Sequence, residues 1–257
     1  MKEEYPGFKP STVNSLGYPV FSDCLSRIPR HKKLLINTIN QYSYCMAEKD
    51  ETFKEALQNS DILLPDGVGM VAAVRLMEGE KVSKIAGAEL NEHLLQELNE
   101  TGGSCFYLGA SGNTLQKIKE KLAIEFPFIK VGVYSPPYKT QFSRSESQAM
   151  IAAVNEFKPD VLFIGMTAPK QEKWAHQHKD ELDAKIICSI GAVFDFYAGT
   201  IDRPGQMWID MGLEWLGRLL KEPKRMWKRY LYYGPVFVHL IMKEKVKRQL
   251  ELVRVRV

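Results

Sequence analysis

The sequence predicts an α/β fold, a mostly parallel sheet covered by helices, followed by a basic helical C-terminal segment. Three observations carry that prediction. Short runs of apolar residues recur along the chain without polar alternation, as strands buried on both faces require. Each run is followed by a segment with helical spacing of its apolar residues. The charge then changes: residues 207–257 hold 12 Lys and Arg against 5 Asp and Glu, a net of +7, whereas residues 1–206 hold 23 against 26, a net of −3.

The elements follow in chain order. Residues 33–39 and 61–64 read as strands, separated by one helix over 42–59. Helices follow over 69–77 and 88–100. A strand at 104–108 leads through Gly109-Ala110-Ser111-Gly112-Asn113 into a helix ending near Glu125. Strands at 129–134, 160–165 and 185–190 alternate with helices at 144–157 and 170–178. After Gly199 the alternation stops. This divides the chain into a core, 1–206, and a basic amphipathic appendage, 207–257.

Composition excludes several classes. With 257 residues, 45% hydrophobic and 26% charged, the chain is neither disordered nor fibrous nor a disulfide miniprotein. The four cysteines form no CxxC pair, and Cys105 and Cys188 lie in apolar runs, as small core residues do. Residues 1–10 lack the apolar stretch of a secretory signal. The apolar stretch 230–242 is too short to cross a bilayer and contains Gly234-Pro235. The expectation is a cytoplasmic protein that contacts the membrane surface at most.

In an open parallel sheet, ligands bind beyond the carboxyl ends of the strands. Candidate residues therefore follow the strands: Asn37 and Thr38, then Asp66 with Gly67. Asp66 is either a general base or the cap of the next helix. The Gly109–Asn113 turn either cradles a phosphate on backbone N–H groups or is a tight turn capped by Asn113. Pro136-Pro137-Tyr138-Lys139 stiffens a loop whose Tyr and Lys suit a nucleotide. Lys170 and Gln171 open a helix where they reach either the crevice or solvent. Asp195 either binds a substrate hydroxyl or pairs locally. His31, His93, His176, His178 and His239 show no ligand spacing, so no metal and no cofactor is expected. Neither a Walker A loop nor a dinucleotide fingerprint is present, which disfavours an NAD-type oxidoreductase.

The appendage carries apolar residues at helical spacing, Ile209, Leu213, Leu216 and Leu220, widened by Met211, Trp215 and Leu219. Arg218, Lys221, Arg225 and Lys228 follow one side, with Lys224 and Arg229 beside them. Pro223 is expected to divide the segment into two helices. Trp215, Trp227, Tyr230, Tyr232 and Tyr233 suit a headgroup interface. Basic residues among aromatics fit an anionic lipid surface; nucleic acid and a merely solvated face are the alternatives.

Taken together, the motifs resemble the WecG/TagA/CpsF group of bacterial glycosyltransferases, family 26. The resemblance rests on Asp66-Gly67-Val68-Gly69, Ala86-Gly87, Tyr107-Leu108-Gly109-Ala110, Pro136-Pro137-Tyr138 and Gly165 through Pro169-Lys170-Gln171-Glu172. Gly191-Ala192-Val193-Phe194-Asp195-Phe196, Ala198-Gly199, Arg203-Pro204 and Gly212-Leu213-Glu214-Trp215 complete it. It implies a Rossmann-like domain with helices on both faces and a membrane-binding appendage. It implies an inverting, metal-independent transfer of N-acetylmannosamine or a related hexose from a UDP-sugar. The implied acceptor is a polyprenyl-diphosphate-linked saccharide at the cytoplasmic face of the membrane, in cell-surface polysaccharide synthesis.

By the resemblance, Asp66 is the general base, Thr38 its polar neighbour and Gln171 a substrate contact. Arg218, Arg225 and Arg229, with Lys221, meet the acceptor or the membrane. Lys84 stands where the family often has Arg, and Glu89 where it usually has Asp; Lys84 keeps the charge but not the bidentate fork. The partners implied are a UDP-sugar donor, a lipid-linked saccharide and the membrane surface rather than nucleic acid. Apolar surface at the sheet edge leaves a homo-oligomer open. The alternative is a nucleotide-sugar-binding or membrane scaffold protein without transfer.

Overall fold

A computed structural model describes residues 10–29 and 32–255; the side chains of 252–255, the N-terminal stretch read for a signal (apart from Pro10) and His31 lie outside the described set. Among the described residues eight strands form one sheet: β1 Thr12–Ser15, β2 Tyr18–Phe21, β3 Leu34–Ile39, β4 Ile62–Pro65, β5 Ser104–Gly109, β6 Lys130–Tyr134, β7 Val161–Gly165 and β8 Ile186–Ser189. Their order is β1-β2-β4-β3-β8-β7-β5-β6. Every pairing is parallel except the β1–β2 hairpin. That hairpin has no signature in the sequence pattern, because its strands are four residues each.

Among the described residues twelve α-helices connect or flank the strands: α1 Gln41–Ala47, α2 Glu51–Gln58, α3 Val68–Glu78, α4 Gly87–Thr101, α5 Gly112–Glu125, α6 Arg144–Phe157, α7 Lys170–His178, α8 Gly191–Tyr197, α9 Gln206–Asp210, α10 Glu214–Lys221, α11 Pro223–Trp227 and α12 Tyr233–Val255. The helix expected over 42–59 is two. Asp50 breaks it by accepting the Phe53 N–H at 3.1 Å, and so caps α2. The continuous apolar stripe from Ile209 to Leu220 is likewise interrupted at Gly212, whose φ of 69° ends α9. Pro223 does open a new helix, and a π-helical turn, Lys228–Tyr232, joins α11 to α12.

Strand periodicity sorts the core onto two faces. Ile36, Leu64, Tyr107, Phe163 and Cys188 point to one face, where Leu90, Leu94 and Leu95 of α4, Ile118 of α5 and Phe194 of α8 cover them. Leu35, Leu108, Leu162 and Ile187 point to the other, against Met150 of α6 and Trp174 of α7. Further along that second face, Val20 and Leu63 meet Tyr44, Phe53 and Met70. Tyr233, Phe237 and Ile241 of α12 join the same cluster, at i, i+4 and i+8. Tyr233 is therefore a core residue rather than a headgroup contact: its ring packs edge-on against Tyr42, centroids 5.0 Å apart.

The chain leaves β3 towards β4 and reaches β8, the other neighbour of β3, last. This reversal opens a crevice beyond the carboxyl ends of β3 and β8. The appendage folds over that crevice.

Candidate active site

The ends of β3, β4, β5, β7 and β8 and the helices α10 and α11 enclose a cleft of about 970 Å³. Strand ends form one wall, with Thr38, Asp66, Gly109, Gly165 and Ser189. Helical residues Arg218, Arg225, Lys228 and Arg229 form the facing wall. A smaller cavity of about 80 Å³ adjoins it, lined by Lys84, Gly67, Trp215 and Tyr230, and Asp66, Arg218 and Arg229 border both.

Asp66 follows β4 directly, and its backbone N–H donates to Ile39 at 2.9 Å. It does not cap α3, since Gly67, with φ of 92°, occupies the cap position. The carboxyl is pushed up to about 6, mainly by burial and then by the nearby charge of Glu214; Arg218 and a hydrogen bond from Asn40 act in the opposite direction. Asn40 holds α1 at the same time, accepting from Tyr42 and Ser43 N–H groups at 3.1 and 3.0 Å. Its amide is thus committed in orientation, with the NH₂ side left for Asp66. Sequence reading passed over Asn40, although Asn with Ser three residues later, just past a strand, is a capping-box signature.

The cationic wall is built from the appendage. Arg218 Nε and Nη2 are buried and have no hydrogen-bond partner among the described residues, and the guanidinium lies 5.1 Å from the Phe196 ring. Arg229 stacks over Tyr42 at 4.6 Å. Burial, then Arg218 beside it, draws Arg229 below its ordinary value, so an anion in the cleft is electrostatically favoured here. Arg225 pairs with Glu222 at 2.6 Å. Lys221 stands apart from the cleft, exposed, 3.9 Å from Asp202.

An ionic cluster holds this wall to the core. Arg203 pairs with Glu89 at 3.0 Å and with Glu214 at 3.3 Å, and Lys84 lies 3.5 Å from Glu214. Glu89 also accepts the Ala86 N–H. The positive charge at Lys84 is therefore shared with two carboxylates, at the edge of the smaller cavity.

The strand-end wall places the remaining candidates unequally. Asn37 is fully buried in β3, donates to Ser60 Oγ at 2.9 Å and does not reach the cleft. Asn113 is exposed on α5 and is not the cap; Ser111 caps α5, accepting the Thr114 N–H at 3.2 Å. Gly109 does line the cleft: its φ is 128°, and a Cβ there would overlap the Gly165 carbonyl. The next N–H, of Ala110, is already donated to that carbonyl at 2.9 Å. Tyr138 stands on the rim, 99% exposed. Lys170 lines the cleft, donates to the Lys139 carbonyl at 2.6 Å and packs on Phe142, which ties down the loop after β6. Asp195 also lines it, with Thr200 Oγ1 at 3.4 Å.

Gln171 is buried, and its Oε1 accepts the N–H groups of Met166 and Gly191, both at 3.1 Å. It thereby clips the β7 end to the start of α8. Its Nε2 donates to Glu172 at 2.8 Å. Glu172 is 3% exposed, lines the cleft and is pushed up to about 7 by burial. Glu172 stands in the Pro169-Lys170-Gln171-Glu172 motif, but its burial has no local signature, because Lys170, Glu172 and Lys173 together read as a solvated first turn.

A cleft with desolvated carboxyls, Asp66 and Glu172, opposite several arginines suits transfer chemistry in which a proton is taken as an anion departs. The known proteins agree. Residues 11–251 match the model of the glycosyl transferase WecG/TagA/CpsF family. An N-acetylglucosaminyldiphosphoundecaprenol N-acetyl-beta-D-mannosaminyltransferase of Bacillus subtilis strain 168 is 31% identical over 83% of this chain and 81% of its own. Proteins of the same name from Bacillus spizizenii and Staphylococcus aureus MW2 are 28% and 25% identical, over 85% and 83% of this chain and 82% of each relative. The chain is thus a hexosyltransferase and belongs to the WecG/TagA/CpsF family of glycosyl transferases.

Proposed function

We propose that this enzyme moves N-acetylmannosamine or a related hexose from a UDP-sugar to a polyprenyl-diphosphate-linked saccharide, with inversion and without a metal ion. The observation that carries the reading is the opposition of Asp66 to the cationic wall across one cleft. The relatives' names supply the acceptor class, a diphosphoundecaprenol-linked N-acetylglucosamine, and the transferred sugar.

In this reading an acceptor hydroxyl oxygen attacks C1 of the donor sugar. The bond from C1 to the β-phosphate oxygen breaks, and UDP leaves with the electron pair. The hydroxyl proton passes to Asp66. A carboxylate is a weak base towards a resting alcohol, so proton transfer accompanies bond formation; a pKa near 6 makes Asp66 a better base than an ordinary aspartate while leaving it ionised at neutral pH. A single base on the acceptor side corresponds to inversion. Arg218 and Arg229, with Thr38 on the strand-end wall, hold the departing diphosphate. Fixed cations there supply the charge stabilisation that a divalent ion would otherwise give.

Residues 1–206 form the catalytic core in this reading, and 207–257 the membrane-facing appendage. Ten of the fifteen large apolar side chains most exposed among the described residues lie after residue 206, including Met207, Leu220, Trp227 and Leu231. Exposed Lys221, Lys224 and Lys228 lie near them in the chain. No helix among the described residues is long and apolar enough to cross a membrane.

The test is a panel of UDP-sugars offered with a short-chain prenyl-diphosphate-N-acetylglucosamine, with and without EDTA. UDP release with UDP-N-acetylmannosamine, unchanged by EDTA and giving one anomer of opposite configuration, is expected. Binding of UDP-sugars without release from any donor would favour the scaffold reading.

A further inference from the structure

The two walls of the cleft carry opposite hydrogen-bonding chemistry. Arginine side chains on the appendage wall only donate, and phosphate oxygens only accept, so the two match. On the strand-end wall two buried polar atoms lack any partner among the described residues: Glu172 Oε2 and Ser189 Oγ. Their side chains are 3% and 0% exposed, and both residues line the cleft. Buried polar groups are nearly always satisfied, so two orphans facing one cleft point to a ligand.

Glu172 is held rigidly. Its Oε1 accepts from Gln171 Nε2, and Gln171 Oε1 is fixed by the Met166 and Gly191 N–H groups. A Cβ on Gly191 would collide with Gln171, which keeps that position glycine. Ser189 closes β8 two residues earlier. The network therefore leaves one carboxylate oxygen and one hydroxyl unmatched at neighbouring strand ends.

A phosphate cannot satisfy Oε2 of the ionised carboxylate, because it has no hydrogen to give and would face a second negative charge. The matching ligand group must donate, as a hydroxyl or an amide N–H does. We propose that Glu172 and Ser189 bind the hydroxyl and N-acetyl N–H groups of the donor sugar and so determine which UDP-sugar the enzyme accepts. This rests on the donor reading proposed above.

The test is calorimetric titration of wild type, Glu172→Gln and Ser189→Ala with UDP and with UDP-N-acetylmannosamine. Glu172→Gln keeps the shape but replaces the carboxylate with a neutral amide. About tenfold or greater loss of affinity for the UDP-sugar is expected, with UDP affinity within about twofold of wild type. Ser189→Ala should lose about threefold or more for the UDP-sugar alone. Retained UDP binding shows that each variant is folded, and Ser189→Ala serves if Glu172→Gln is not. Equal losses for UDP and UDP-sugar would place the pair on the nucleoside and overturn the assignment. A loss seen only in KM for the prenyl-diphosphate acceptor would move it to the acceptor sugar, which also overturns it. If wild type transfers the sugar and neither variant differs from it, this inference fails while the donor reading stands; if wild type binds no UDP-sugar, both fail.

Discussion

The two walls of the cleft reach their chemistry by different routes. The strand-end wall is rigid: Asp66 follows β4, Ser189 ends β8, and Gln171 clips β7 to α8 through two backbone N–H groups. Asp66 and Glu172 there are desolvated, and burial pushes both above the ordinary carboxylate range. The appendage wall is assembled late in the chain from short helices. It is anchored by three residues of α12 and by the ion pairs around Arg203. The difference teaches that reactivity is stored where the backbone is over-determined, and charge is delivered by a part that docks.

The largest effect expected from breaking the comparison comes from Asp66→Asn. Loss of the base should lower kcat by about 10²–10⁴-fold. The same substitution should stabilise the fold at neutral pH. A carboxyl held near 6 when folded and near 4 when unfolded favours folding only in its protonated form. That contribution is fully present below about pH 4 and is lost as pH rises through about 6. Asp66→Asn should therefore gain on the order of 2 kcal/mol at pH 7, about 5 °C in melting temperature, and little at pH 4. Wild-type kcat/KM should rise with pH through about 6. Undiminished turnover in Asp66→Asn would remove the strand-end wall from the chemistry.

Phe237→Ala tests how firmly the other wall is docked. The ring is 5% exposed and packs edge-on against Tyr44, centroids 5.4 Å apart. Its removal should cost about 3–5 kcal/mol in denaturant unfolding. If only the appendage loosens, proteolysis after residue 206 should increase while the core melts as before. A single cooperative loss would show the two parts to be one folding unit.

The smallest effect concerns the surface. Binding to anionic vesicles should weaken several-fold as salt rises from about 50 to about 300 mM, since exposed lysines are screened. Trp227→Ser should weaken it further at every salt concentration, because that side chain is 51% exposed and apolar. Vesicle binding that survives deletion of residues 207–257 would place the membrane contact elsewhere.

Much of this molecule is legible in the sequence. Six of the eight strands, the loops after them and the charge of the appendage follow from patterns within a few residues. Asp66, Thr38, Gly109, Lys170, Gln171 and Asp195 come to one cleft as the rule for parallel sheets requires. Asn37 and Asn113 do not. One step along β3 turns a side chain from the cleft into the core, and one residue separates the capping Ser111 from Asn113, which is already inside α5. The Tyr232-Tyr233 pair shows the same limit: Tyr232 is 49% exposed and Tyr233 is 8% exposed.

Local pattern determined the α/β alternation, the positions of the strand-end loops and the family, because these depend on periodicity and on short motifs. Tertiary structure alone decided which acids are desolvated. Glu172 sits in a run of charged residues that reads as solvent-facing, yet it is buried beside Gln171, which is fixed by Gly191 twenty residues on. Lys84 and Glu214 are 130 residues apart and meet at 3.5 Å. Desolvation and long-range charge depend on what packs against a group, and that is set by segments far away in the chain.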